Sequence, residues 1–152
     1  RSARTKTVSD CAVMQWVVIP DPFAPEITTE ILKNQISLSI EDSQALAERI
    51  QNRINAYATL PKIPVPAPVV ETFTDGATDA TIIEIRTHDR PALLFSIGGV
   101  ISQCNVDIRS AIVTTLGAEA IDTLYLREFG GGALAADRVE QVASKVKAAL
   151  HN

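Results

Sequence analysis

The residues with the clearest chemical potential lie together in one junction, residues 87–93, which read THDRPAL. Pro91 suits a first helical turn, where its missing N–H costs nothing, and Asp89 or Arg90 then occupies the cap, with Asp89 the better acceptor. One explanation is therefore a capped helix start and nothing more. The other is a ligand site, because free backbone N–H groups of a first helical turn attract an anion such as an amino acid α-carboxylate. A nearby carboxylate side chain would then bind the α-ammonium group.

Other chemistries fit the sequence poorly. His88 and Asp89 form a pair of the kind found in metal-dependent phosphohydrolases, but further ligands are required and the only other histidine is His151. Residues 130–132 are three glycines without the Gly-Lys-Ser/Thr continuation of a phosphate-binding loop. Cys104 has no histidine or second cysteine near it in sequence. We expect neither a catalytic site nor a metal site in this chain.

The composition is that of a globular chain with a substantial core. Its 152 residues suffice for one ordinary domain or two small ones, and 46% of them are apolar. The net charge of -4 and the aromatic content of 5% argue against nucleic acid as a partner. No stretch approaches the ~20 apolar residues of a membrane span, and the first residues lack the apolar segment of a secretory signal. The two cysteines suggest no disulfide framework, so we expect a reducing, cytoplasmic setting.

The chain contains an internal repeat, because residues 1–20 align without a gap on residues 109–128. The letters RSA open both segments, and Trp16 falls on Leu124. Both segments read as strand, turn, strand. The first segment therefore predicts the later part of a first copy whose leading strand and helix are missing. From this we expect the chain to be part of a longer protein.

The elements around the junction are expected to follow the order strand, helix, strand, strand, helix. A strand over 69–74 should pair with one over 81–86, with Ile83 and Ile85 facing the core. Before the strand over 69–74 we expect strands over 2–7 and 12–19, helices over 26–34 and 39–57, and a proline-rich connection over 60–68. Ser39 or Asp42 is expected to cap the second of these helices. The elements expected after the strand over 81–86 are a helix over 91–103, a strand with Val106, Ile108 and Ile112 on one face, a strand with Ala120, Leu124 and Leu126 on one face, and a final helix capped by Asp137.

Joined in register, the two copies give the β-α-β-β-α-β order of a ferredoxin-like unit. The predicted fold class is therefore α+β, with an antiparallel sheet and helices on one face. No sequence remains after the final helix for a fourth strand of the second copy. We expect the strand over 69–74 to lie in or beside that sheet instead.

Residues 82–126 resemble an ACT domain, a small-molecule-sensing module of ferredoxin-like fold, most strongly in the DRP-x-LL junction and in the NVDI of residues 105–108. More narrowly, the tandem arrangement and the run DIRSAIVTTLGAEAIDTLYL resemble the C-terminal end of the PII-protein uridylyltransferase/uridylyl-removing enzymes of bacterial nitrogen control. The resemblance predicts the C-terminal part of a first, truncated ACT domain over 1–60, a proline-rich linker and extra strand over 61–79, and a second ACT domain over 80–152.

For the longer protein, the resemblance implies an activity that lies outside this chain. Members of this family carry a nucleotidyltransferase domain and an HD hydrolase domain, and use Mg²⁺ and a nucleoside triphosphate. They uridylylate a PII signalling protein when glutamine is low and remove the group when glutamine is high; some actinobacterial relatives transfer adenylyl. The chain itself would be non-catalytic, cofactor-free and regulatory. Its implied partners are glutamine or another small amino acid, the PII protein through the parent enzyme, and other ACT domains, within the chain or in a homodimer.

The resemblance also implies a ligand site at an interface between two ACT copies, with the junction on one side and Asn105 and Asp107 on the other. The predicted binding residues are Asp89, Arg90, Pro91, Ala92, Leu93, Asn105 and Asp107. One departure from the family pattern is Ala92, because the family has glycine after the proline. Its methyl group would crowd a carboxylate at the helix start, although alanine is the better helix former by up to about 1 kcal/mol.

Two alternatives follow from the same residues. The chain could be an association module without a ligand, since the exposed sheet edge expected at Ser2–Thr7 and the glycine-bearing helix could mediate dimerisation. It could instead be the ACT regulatory domain of another enzyme of amino acid metabolism. A free-standing enzyme is disfavoured, because the sequence offers no nucleophile-base pair and no metal set.

Overall fold

The structure is a computed structural model that describes residues 1–9, 11–19, 27–58, 64–77 and 79–151. This part of the chain forms six strands and four helices. They are β1 (Ser2–Val8), β2 (Cys11–Val17), α1 (Thr29–Glu41), α2 (Ser43–Ala58), β3 (Val69–Phe73), β4 (Thr81–His88), α3 (Leu93–Gln103), β5 (Val106–Leu116), β6 (Glu119–Glu128) and α4 (Ala136–Leu150). The chain divides into two compact units, one of Arg1–Val18 with Pro64–Asn152 and one of Ile19–Ile63.

The strands form one sheet in the order β2-β1-β5-β6-β4-β3, and each neighbouring pair is antiparallel. β3 pairs with β4 as predicted, with Val70 opposite Ile85. It thus occupies the edge beside the first strand of the unit β4-α3-β5-β6-α4. The α+β fold class is confirmed, and the architecture is compatible with a ferredoxin-like fold.

The core lies between this sheet and helices α3 and α4, which cover one face of it. Ile83 and Ile85 of β4 are 1% and 0% exposed, as the apolar alternation predicts. The helices contribute stripes of apolar residues spaced three or four apart. The stripes are Leu93, Ile97 and Ile101 in α3, and Val139, Val142, Val146 and Leu150 in α4. α4 begins after Ala135 without a side-chain cap, so the predicted cap by Asp137 was wrong.

The hairpin predicted at the start of the chain is confirmed. β1 and β2 pair antiparallel from Ser2 with Val17 to Val8 with Cys11. β1 also pairs antiparallel with β5, so this hairpin extends the same sheet. The exposed sheet edge predicted at Ser2–Thr7 was therefore wrong, because β1 lies between β2 and β5 and β2 forms the edge. Residue 10, between the two predicted strands, and part of the predicted proline-rich connection over 60–68 lie outside the described residues. The division into two ACT domains stays a prediction.

β5 departs from the predicted pattern because it contains a β-bulge. The register against β6 shifts between Ile108 and Ser110, which leaves Arg109 as an extra residue. Since side chains alternate between faces along a strand, one extra residue exchanges the two faces beyond it. Ile112, predicted to share a face with Ile108, is consequently 41% exposed, whereas Ala111 is buried. The prediction for Ile112 was wrong for this reason.

The second unit contains α1 and α2. Both helices begin later than predicted, because the side chain of Thr28 caps α1 by accepting a bond from the Ile31 N–H at 3.3 Å. Asp42 caps α2, and its Oδ1 accepts a bond from the Ala45 N–H at 2.9 Å. Ser39, the alternative predicted cap, lies inside α1 and was the wrong choice. Among the helices of the described ranges, none has the length and apolar character needed to cross a membrane.

Candidate functional site

The predicted junction lies where β4 ends and α3 begins. α3 starts at Leu93, two residues after Pro91, and Ala92 is its N-cap residue without a side-chain cap bond. The predicted cap by Asp89 was therefore wrong, and so was the helical position of Pro91. A backbone turn makes the connection instead, in which the Leu93 N–H donates to the carbonyl oxygen of Arg90 at 3.3 Å.

Ala92 stands in a left-handed backbone conformation, with φ of 63°. A residue with a Cβ pays about 1–2 kcal/mol in this region, whereas glycine does not. The helix propensity expected to favour alanine does not apply, because Ala92 precedes the helical residues. The positive φ is the physical reason why glycine suits this position.

A cavity of about 200 Å³ opens at the start of α3. Four of the predicted binding residues line it, namely Asp89, Arg90, Ala92 and Leu93. The other lining residues are Leu94, Phe95, Val113, Thr115, Ala120 and Asp122. Pockets for drug-sized ligands occupy roughly 300–1,000 Å³, so this cavity suits a smaller molecule such as a single amino acid.

Asn105 and Asp107 lie beyond the opposite end of α3. The 11 residues of the helix separate its two ends by roughly 16 Å, at 1.5 Å per residue. Asn105 is exposed and has a φ of 53°, and the carboxylate of Asp107 accepts a bond from Nε of Arg127 at 2.6 Å. Neither residue lines the cavity. Their contribution from across an interface between copies stays a prediction.

Asp122 lines the cavity, and the sequence analysis did not select it. It occupies a core-facing position of β6 between Ala120 and Leu124, and it is fully buried. Neither oxygen of its carboxylate has a hydrogen-bond partner among the residues that the structure describes. The signal was present in the sequence, because an acid interrupts the apolar alternation of this strand. A buried polar group without a partner requires an explanation.

The carboxylates of Asp89 and Asp122 both line the cavity. Burial, and to a smaller extent the neighbouring charge of Asp89, raise the pKa of Asp122 to about 6. The Asp89 side chain is 31% exposed and lies 3.9 Å from the Arg1 guanidinium, a distance at which a surface ion pair contributes little. The guanidinium of Arg90 donates to the carbonyl oxygen of Ala149 at 3.1 Å.

The arrangement can bind both ends of a zwitterion. The backbone N–H groups of Leu94 and Phe95 belong to the first turn of α3, where the helix provides no acceptor for them. They can donate to a carboxylate, which the helix dipole also favours. Asp89 and Asp122 can accept from an ammonium group. In the described ranges, no three His, Cys, Asp or Glu side chains are placed to hold a metal ion.

The chain is similar to the bifunctional uridylyltransferase/uridylyl-removing enzyme of Streptomyces coelicolor. The two are 31% identical over 119 residues, which is 78% of this chain. The matched region is 14% of the length of that enzyme, so the chain spans a small part of this relative. No family model matches the chain, and no solved structure does. The resemblance to this enzyme family that the sequence predicts is confirmed.

Proposed function

We propose that the chain is a regulatory region that binds a small amino acid, glutamine in the first place, for a bifunctional uridylyltransferase/uridylyl-removing enzyme. The similarity over 78% of the chain supports the choice of enzyme. The observation that supports the choice of ligand is the cavity at the start of α3. Its lining includes first-turn residues of the helix, with their N–H donors, and a buried carboxylate that has no partner among the described residues. A zwitterion supplies the two charges that these groups lack.

In this proposal each end of glutamine has its own receptor. The α-carboxylate accepts from the N–H groups of Leu94 and Phe95, and the α-ammonium group donates to Asp122 and Asp89. Thr115 also lines the cavity, and in this proposal its hydroxyl bonds with the side-chain amide of glutamine. Apart from Arg90, the remaining lining residues are apolar, and such a lining strengthens polar contacts made against it.

Binding regulates the parent enzyme only if glutamine prefers one arrangement of its domains over another, since equal affinity for both shifts no equilibrium. The family resemblance supplies the direction: glutamine would favour removal of the uridylyl group from a PII protein. Mg²⁺ and the nucleoside triphosphate would belong to catalytic domains elsewhere in the parent. A cytoplasmic location is part of the same proposal.

A second candidate is an association module without a ligand. β2 is an edge strand of the sheet, and its side chains Val13, Met14 and Trp16 are each 57–60% exposed. An exposed apolar edge favours pairing with another chain. Sedimentation equilibrium with and without glutamine separates the two, because a pure association module forms the same oligomer in both.

Isothermal titration calorimetry of the full chain with glutamine tests the proposed function. We expect saturable binding in the wild type and at least about tenfold weaker binding in Asp89→Asn, because a charged hydrogen bond contributes about 1.5–3 kcal/mol. Asp137→Asn is the matched control: it removes the same charge from an exposed first-turn position of α4 and should bind as the wild type does. Absence of binding heat for glutamine and for other amino acids would refute the proposal.

A further inference from the structure

The buried carboxylate of Asp122 is the feature that the fold itself does not explain. Its side chain is fully buried, and neither oxygen accepts a hydrogen bond from the described residues. An unpaired buried carboxylate is costly, since desolvation is not offset by a partner. Such a group persists where either the fold or the function of the protein requires an acid at that position.

The internal repeat distinguishes these two reasons, because β1 and β5, the first strands of the two repeat segments, pair in a symmetric register. Ser2 of β1 pairs with Thr114 of β5, and Lys6 pairs with Ser110. In the alignment of residues 1–20 with 109–128, Ser2 corresponds to Ser110 and Lys6 corresponds to Thr114. The pairing is therefore unchanged when the copies are exchanged, and Arg4 pairs with its own counterpart at the centre. The two hairpins are related by an approximate twofold axis through this pair.

The symmetry shows which residue of the first hairpin occupies the position equivalent to that of Asp122 in the second. Met14 corresponds to Asp122, and it pairs with Thr5 as Asp122 pairs with Val113, the counterpart of Thr5. The same sheet position thus accepts an apolar side chain in one copy and an acid in the other. The acid is not a requirement of the hairpin, which leaves the cavity as the reason for it.

No cation of the chain neutralises Asp122 in the described structure. The charged side chains that line its cavity are Asp89 and Arg90, both from the segment between β4 and α3. The Arg90 guanidinium bonds to the carbonyl oxygen of Ala149, and Arg1 lies beside Asp89. The lining residues from α3 and β5 carry no charge. The missing partner of Asp122 is therefore a positive charge of ligand size.

We propose that Asp122 determines the specificity of this cavity: it selects ligands with a free primary ammonium group. This inference rests on the proposed function for the site and narrows its ligand class. Molecules of the same shape without the ammonium group leave Asp122 unpaired and are rejected, because burying a polar group without its partner is the costly case.

Binding then involves a proton. When Asp122 is protonated, the incoming ammonium group displaces that proton, which passes to solvent, and an ion pair of carboxylate and ammonium forms. The pKa of Asp122 is about 6 in the empty protein, so about half a proton per ligand leaves near pH 6 and almost none at pH 8. Affinity should rise with pH through this range, with Asp89 as the second acid whose charge faces the ligand.

Calorimetry on the full chain tests the selection. We expect 4-carbamoylbutanoate, which is glutamine without its ammonium group, to bind the wild type at least about tenfold more weakly than glutamine. Asp122→Asn should weaken the binding of glutamine at least about tenfold and leave the affinity for 4-carbamoylbutanoate nearly unchanged. Met14→Leu, at the corresponding position of the other copy, is the matched control and should leave both affinities unchanged.

Carbon-13 NMR of the Asp122 carboxyl group provides a readout that a merely structural role would not move. Glutamine should lower its pKa, and so should butylammonium, which carries the ammonium group alone. If glutamine does not bind but butylammonium still lowers this pKa, the choice of glutamine fails and the selection by Asp122 stands. If glutamine binds equally well to Asp122→Asn, or if neither compound moves the pKa, the selection by Asp122 is overturned.

Discussion

Replacing Asp122 with asparagine should stabilise the empty protein, and the gain should depend on pH. The pKa of Asp122 is raised from its ordinary value of 3.8 to about 6 by burial and by Asp89. The folded state therefore holds its proton where the unfolded state has released it, so the free energy of unfolding falls as pH rises from about 4 to about 6. At 1.36 kcal/mol per pH unit, the loss reaches about 3 kcal/mol above pH 7. Asp122→Asn keeps the shape and removes this loss.

Urea denaturation followed by Trp16 fluorescence measures the effect, because the single tryptophan lies in the same compact unit as Asp122. The stability difference between Asp122→Asn and the wild type should be small near pH 4, grow through pH 6 and level off at about 3 kcal/mol above pH 7. Asp137→Asn, an exposed control, should remain within about 0.5 kcal/mol of the wild type throughout. A difference that does not change with pH would refute the argument that an unpaired buried charge is present.

Three further predictions concern the backbone and the core. In urea denaturation, Ala92→Gly should raise the free energy of unfolding by about 0.5–1 kcal/mol, because relief of the positive φ exceeds the added entropy of the unfolded chain. Ala148→Gly, at an exposed position inside α4, should lower the free energy of unfolding by a similar amount. Asp42→Ala should accelerate amide exchange in the first turn of α2 about fivefold, as a lost cap of about 1 kcal/mol requires. Ile101→Ala should cost about 2–5 kcal/mol and Ile112→Ala less than about 1 kcal/mol, because the first is fully buried and the second is 41% exposed. Equal costs for the isoleucine pair, or stability changes of the same sign for Ala92→Gly and Ala148→Gly, would contradict the assigned burial and backbone.

Local pattern was sufficient to predict the strands and the pairing of β1 with β2 and of β3 with β4, but not the pairing of β1 with β5. The alternation around Ile83 and Ile85 predicted β4 and its buried face, and the repeat of residues 1–20 predicted the first hairpin. These features follow from side-chain period and turn chemistry, which act between residues close in sequence. The order of elements was enough to predict the α+β class and the place of β3 beside β4.

Tertiary structure decided what depends on contacts between distant segments. The bulge at Arg109 changed the face on which Ile112 lies, and the turn before Leu93 put Ala92 at a positive φ outside the helix. Neither follows from local propensity, because each is a compromise between a strand or helix and the sheet it joins. Asp122 is the clearest example. The sequence shows an acid at this position, but its burial without a partner and its place in the lining of a cavity depend on the packing of α3 over the sheet.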